Sequence, residues 1–205
     1  MPRYGVFKRV LDVALATILL LLAAPLLLLL VVMVKTTSKG PAIYRQKRVG
    51  KNGRVFTLIK LRSMKFEPQT PIYICRSLAD ERLTGFGKLI RATHLDEIPQ
   101  FINVIKGDMS LVGPRPHPVE KHKELSERIP SYGHRTAVRP GMTGLAKVRL
   151  PLLPDAEQAT AFDMLYIKST SLWLDIKIMA LTVPIMLQGA RRLWANEQPV
   201  FEAAT

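Results

Sequence analysis

Two adjacent carboxylates, Asp96 and Glu97, are the residues of this chain best placed to do chemistry. They are followed by two loops punctuated by glycine and proline, each carrying an arginine: Gly107 to Pro116 with Arg115, and Arg139 to Gly144 with Arg139. Loops of that build hold a guanidinium fork in the geometry that phosphate oxygens accept. Taken alone, an Asp-Glu pair reads as a helix cap with a solvated neighbour, and the arginines as surface charges on ordinary turns. The combination points towards phosphate.

The elements around the pair decide between these readings. Ile98, Phe101, Ile102 and Ile105 follow the i, i+3, i+4, i+7 rule of an amphipathic helix with an inward apolar face. Pro99 fits where its missing N–H would be unpaired anyway, so the helix should start near Asp96 and place both carboxylates at its positive end. A capping box from Thr93 to Asp96 is the alternative, at the expense of a proline in the second turn. None of the four histidines (His94, His117, His122, His134) shows zinc-site spacing, and His94, beside the pair, is the least dismissible as a metal ligand. The single cysteine, Cys75, excludes an intrachain disulfide and a cysteine-rich zinc site.

Upstream, β-rich sequence at Ala42 to Val49 and Arg54 to Leu61 flanks Gly50-Lys51-Asn52-Gly53, a hairpin signal. Period two puts Phe56, Leu58, Lys60 and Arg62 on one face, so two cations should project together, either as solvated charge or towards phosphate. Glu67 to Ala79 reads as a loop and Asp80 to Arg91 as a helix weakened at its start by Gly85 and Gly87. Leu172 to Leu187 is strongly apolar, with a break expected at Pro184. Trp173, Trp194, Arg191 and Arg192 flank it, as in a helix lying among lipid headgroups, although a buried core helix has the same pattern. Asn196 to Thr205 reads as a disordered tail.

Residues 13–34 carry no charged side chain, enough for a helix of about 33 Å that could cross a bilayer. Pro25 interrupts this run, and basic residues flank it on both sides (Arg3, Lys8, Arg9; then Lys35, Lys39, Arg45, Lys47, Arg48). A re-entrant helix, broken at Pro25 and returning to the face it entered, satisfies both facts better than a spanning one. The net charge of +14 points to an anionic partner, whether nucleic acid, an acidic membrane surface or a phosphorylated substrate, and ten Lys or Arg between Lys35 and Lys65, with no acidic residue from 13 to 66, concentrate it beside the membrane segment. The expected division is a membrane helix at 1–39, a catalytic part with interfacial helices at 40–190, and a tail at 191–205. The fold class is α+β: mostly helical and monotopic, with one small hairpin.

Four stretches together resemble the bacterial sugar transferases, the monotopic phosphoglycosyl transferases: KRVLD at Lys8 to Asp12, YRQKRVGKNGRVFTLIKLRSM at Tyr44 to Met64, FGKLIRATHLDEIPQFINVIKGDMSLVGPRP at Phe86 to Pro116, and VRPGMTGLAKV at Val138 to Val148. The resemblance implies a short, single-domain transferase of substituted phosphate groups. It would move a sugar 1-phosphate from a UDP-sugar to polyprenyl phosphate, releasing UMP as the first membrane step of glycan assembly. It makes Asp96 the nucleophile of a covalent phosphosugar intermediate and Glu97 the holder of Mg²⁺, with Arg91 and Arg115, then Lys60, Arg62 and Arg139, as phosphate-binding residues. It also implies the bacterial inner membrane with the site facing the cytoplasm, membrane lipid as a partner, room for a homo-oligomer and no nucleic acid. An inactive homologue serving as a scaffold in glycan assembly is the alternative. The chain departs from the family pattern at Ala24, where serine commonly precedes the proline, and after Ala146, where Lys147-Val148-Arg149-Leu150-Pro151 replaces a QVNGR-like run. The donor sugar is therefore not implied.

Overall fold

A computed structural model describes residues 2–65, 80–150 and 155–194. The expected loop at Glu67 to Ala79, with Cys75, and the tail from Asn196 lie outside these residues. The chain is mostly helical with two small sheets. Helix α1, Pro2–Thr37, leads to a hairpin of β1, Ile43–Val49, and β2, Val55–Leu61. The pairing runs from Ile43↔Leu61 to Val49↔Val55, as the sequence predicts. Asn52 (φ 54°) and Gly53 (φ +76°) supply the left-handed backbone its turn needs.

The expected break at Pro25 does not occur: α1 remains one 36-residue helix through it. Proline removes a single i→i−4 bond, and the leucine-rich turns on either side keep theirs. One stripe of α1 is covered: Asp12, Ala16, Leu30 and Val34 are buried, with Leu20, Ala23, Leu27 and Val31 half-buried between them. Its other faces leave Val10, Ile18, Leu21, Leu22, Leu28 and Leu29 exposed. Both ends are tied to the same globular part. Near the start, Asp12 accepts hydrogen bonds from Ser110 Oγ (2.7 Å) and Leu111 N (3.2 Å). Near the end, the Arg62 guanidinium donates to the carbonyls of Ser38 (2.8 Å) and Lys39 (2.5 Å).

Helix α2, Gly85–Ala92, is shorter than expected because Thr84 caps it, its Oγ1 accepting from Gly87 N at 2.8 Å. A Cβ on Gly87 would lie 1.8 Å from Ser63 O, so the glycine that weakens the sequence signal is required by packing. Asp96 and Glu97 fall in a 3-10 turn, Leu95–Glu97, and helix α3, Gln100–Lys106, begins only after Pro99, which caps it. The pair thus precedes α3 instead of occupying its first turn. The inward face of α3 also differs from expectation: Val104, Gln100 and Asn103 are its buried residues, while Phe101, Ile102 and Ile105 are half-buried.

Strand β3, Ser110–Val112, pairs in parallel with β4, Gly141–Thr143. Helix α4, Val119–Arg128, lies between them in sequence; α5, Leu145–Arg149, α6, Ala156–Lys168, and α7, Leu172–Trp194, follow. The main core joins Phe56 and Leu58 of β2, Val104 of α3, Met109, Leu111, Val112 and Leu145 to Tyr166 and Ile178. Helix α7 continues through Pro184, again without the expected break. It buries Asp175, Ile178 and Thr182 and exposes Trp173 (76%), Ile176, Leu181, Val183 and Leu187. A water-facing helix would turn its polar positions outward; α7 instead buries Asp175 and Thr182 and sets Lys177 among exposed apolar side chains.

Candidate active site

His94, held at φ 56°, turns the chain from α2 into the 3-10 turn, closed by Glu97 N donating to His94 O (3.1 Å) and Ile98 N to Leu95 O (3.3 Å). Both carboxylates end up buried. Asn103 then fixes α3 against the hairpin: its Oδ1 accepts from Ile59 N (3.0 Å) and its Nδ2 donates to Thr57 O (2.8 Å), meeting the free edge of β2. That docking places Lys60, the next residue but two along from Thr57, in the field of Asp96.

The cations arrive from four directions. Arg115 donates through Nη2 to Glu97 Oε1 at 2.7 Å, and Lys147 Nζ stands 3.9 Å from Glu97 Oε2. Arg91, in the last turn of α2, and Lys60, whose ammonium lies 5.2 Å from the Tyr44 ring centroid, act on Asp96. Arg48 of β1 lies behind Arg115, its guanidinium donating to Gln46 Oε1 (2.8 Å) and Pro116 O (2.5 Å).

The rigidity of the Arg115 loop has two sources. The first is backbone contact: a Cβ on Gly113 would meet Arg139 O at 2.4 Å, one on Gly141 would meet Gly113 N at 2.1 Å, and one on Gly144 would meet Gly113 O at 2.3 Å. Only glycine allows the two loops to lie this close. The second is a buried polar cluster in which Arg135 pairs with Asp163 (2.5 Å) and donates to Arg115 O (3.0 Å) and Tyr132 Oη (2.8 Å), with His117 Nδ1 also bonded to Tyr132 Oη.

Burial, with Glu97 adjacent, pushes the Asp96 carboxyl up to about 6, against the pull of Lys60, Arg91 and Arg115. Burial would raise Glu97 as well, but Arg115, Lys147 and His94 outweigh it and hold this carboxyl below its usual range. Burial pulls Lys60 down to about 8 despite Asp96, and His94 down to about 4, where Lys147 adds to the effect. The pair is therefore electrostatically unequal: one carboxylate is locked in charge-assisted bonds and the other is held at higher free energy.

Among the sequence-predicted site residues, the structure brings together Asp96, Glu97, Arg91, Arg115 and Lys60. Arg62 lies elsewhere, because β2 ends at Leu61 and the alternation stops with it; its guanidinium caps the end of α1. Arg139 Nε donates to Gly107 O (2.9 Å), at the end of α3. Arg48 and Lys147 were missed. Tyr44, Gln46 and Arg48 pair across from Lys60, Leu58 and Phe56, so period two applied to β1 as well as β2 would have found Arg48. Nothing in the spacing marks Lys147.

No group of three or more His, Cys, Asp or Glu comes together among the described residues. Asp96 and Glu97 still offer the hard oxygens that suit Mg²⁺ when substrate phosphates complete its coordination.

A buried acidic pair outnumbered by cations, on a scaffold whose α1 and α7 turn apolar faces outward, is an arrangement that an anionic ligand would complete. The comparisons with known proteins agree: the bacterial sugar transferase family model matches residues 3–189, and the chain belongs to that family. It is 45% identical over 194 residues to the UDP-glucose:undecaprenyl-phosphate glucose-1-phosphate transferase of Caulobacter vibrioides, covering 91% of this chain and 73% of that protein. It is 43% identical to the Klebsiella pneumoniae protein of the same name, over 87% of this chain and 39% of the relative. A third, UDP-N-acetylgalactosamine-undecaprenyl-phosphate N-acetylgalactosaminephosphotransferase of Aeromonas hydrophila, is 40% identical over 92% of this chain and 45% of its own length. The chain thus spans less than half of the two longer relatives.

Proposed function

We propose that this chain transfers a sugar 1-phosphate from a UDP-sugar to undecaprenyl or a related polyprenyl phosphate, in two displacements at one phosphorus. An Asp96 oxygen attacks the sugar-bearing phosphorus, the bond to the UMP oxygen breaks, and UMP leaves. A polyprenyl phosphate oxygen then attacks the same phosphorus, frees Asp96 and carries away the polyprenyl-diphosphate sugar. The observation that carries this reading is the unequal pair, in which Glu97 is neutralised by Arg115 and Lys147 while Asp96 remains the poorly stabilised and hence more reactive carboxylate.

Lys60, Arg91 and Arg115 bind and orient the diphosphate, and they offset charge as the phosphoryl group transfers. Glu97, with Asp96 beside it, would hold Mg²⁺, which when bound neutralises the diphosphate. The names of the relatives support a UDP-hexose or UDP-N-acetylhexosamine donor and an undecaprenyl acceptor.

On this reading α1, unbroken at Pro25, lies at the cytoplasmic face of the bacterial inner membrane with its exposed leucines in the lipid and both ends on that face, where the site meets a soluble donor and a lipid phosphate at the headgroup plane. Support comes from the anchoring of both ends of α1 to one globular part, and from its flanking cations. A helix crossing outright would separate those ends. Incubating the detergent-solubilised protein with UDP-sugars and Mg²⁺ and weighing the intact chain tests the chemistry. A phosphosugar adduct that disappears in Asp96→Asn is expected; turnover by that variant would refute it.

A further inference from the structure

Glu97 is bracketed: each of its oxygens faces a cation before any divalent ion arrives. Arg115 holds Oε1 at 2.7 Å, and Lys147 stands 3.9 Å from Oε2. The two cations belong to one rigid unit, because Arg115 follows Gly113 by two residues, Lys147 follows Gly144 by three, and Gly113 and Gly144 touch backbone to backbone. Lys147 sits on α5, whose Leu145 is packed in the main core, and its side chain is only 21% exposed. An ammonium held this way cannot swing aside freely, and it repels a divalent ion approaching the same oxygen.

We propose that Lys147 is a positioning residue that competes with the divalent cation for Glu97, so that the cation enters the site together with the nucleotide diphosphate and not before it. The diphosphate brings enough negative charge, and enough oxygen ligands, to hold the ion beside Lys147. Free protein has only the two carboxylates, one of them already satisfied twice. This inference rests on the reading of Glu97 as the residue that holds the metal, and its test keeps the two apart.

The probe is Mn²⁺ alone, titrated into the full chain in detergent and followed by the electron paramagnetic resonance of the free ion, with no donor present. Lys147→Gln should bind Mn²⁺ about tenfold more tightly than the starting protein, the coupling expected when one nearby unit charge is removed. Lys147→Arg, which keeps the charge, should behave like the starting protein. Adding Glu97→Gln to Lys147→Gln should abolish the gain. If Lys147→Gln binds no tighter while Glu97→Gln alone weakens binding, the inference about Lys147 fails and the metal role of Glu97 stands. If Lys147→Gln binds tighter and the added Glu97→Gln leaves that gain intact, both fail. Far-UV circular dichroism of each variant confirms folding, and an unfolded Lys147→Gln is replaced by Lys147→Met with the same expectation.

Discussion

Among the described residues, two pairs of buried carboxylates are treated in opposite ways. Asp12 and Asp175 join α1 and α7 to the core. Asp12 accepts from Ser110 and Leu111, while Asp175 accepts from Tyr4 (2.9 Å), Lys8 (2.6 Å) and Tyr166 (2.8 Å), so local partners answer the charge and Lys8 serves as counter-ion. Asp96 and Glu97 are equally buried but are faced by Lys60, Arg91, Arg115 and Lys147, more positive charge than the pair can neutralise. The first arrangement holds helices together and gains nothing from a ligand. The second is completed by an anion. Burial of a carboxylate therefore says little by itself; the balance of its surroundings separates a brace from a reaction centre.

The largest expected effect lies at the second pair. Asp96→Asn should reduce transfer on the order of a thousandfold or more while the protein still folds, measured by release of UMP and by melting in detergent. Arg115→Met should follow, lowering kcat/KM roughly a hundredfold through loss of one charge-stabilising donor. At the first pair, Asp175→Ala should instead cost about 3 kcal/mol of stability, by leaving Tyr4, Lys8 and Tyr166 without their shared acceptor, with turnover per folded molecule preserved. Were Asp175→Ala to abolish turnover in folded protein, the contrast between the pairs would collapse.

A pH series sharpens the same comparison. With Asp96 raised to about 6, the folded chain keeps a proton that the unfolded chain gives up near the ordinary aspartate value of about 3.9. Stability from this group is complete below about pH 4 and is lost as pH rises towards 6, so Asp96→Asn should melt higher than the native protein above pH 6 and no higher below pH 4. Activity runs the other way: as the proposed nucleophile must be ionised, kcat/KM should fall as pH drops through about 6. The smallest effect is assigned to Arg62→Met, which should lose about 1–3 kcal/mol of stability by unpairing the carbonyls at the end of α1, with kcat/KM unchanged.

The carboxylate pair, Arg91, Arg115 and the hairpin were legible because each depends on local sequence: a motif, a turn, a strand period. Arg62 was not, since a period of two cannot say where a strand stops, and this one stops at Leu61. The start of α3 was read one turn early because Pro99 is equally at home capping a helix and opening one. Pro25 and Pro184 were read as breaks because proline chemistry is local, whereas the helical turns that carry the chain past them are cooperative. Lys147 was invisible: its meeting with Glu97 crosses fifty residues and depends on three glycines packed face to face, a contact no linear pattern encodes.

Those glycines make Gly113, Gly141 and Gly144 a single seam, with the stretches on either side behaving as one exchangeable cassette. Exchanging the segment around Arg115 for a different sequence therefore requires that the segment from Arg139 to Arg149 be exchanged with it. Exchanging either alone would set a foreign backbone at separations that tolerate no side chain, and the exchange would fail at the seam.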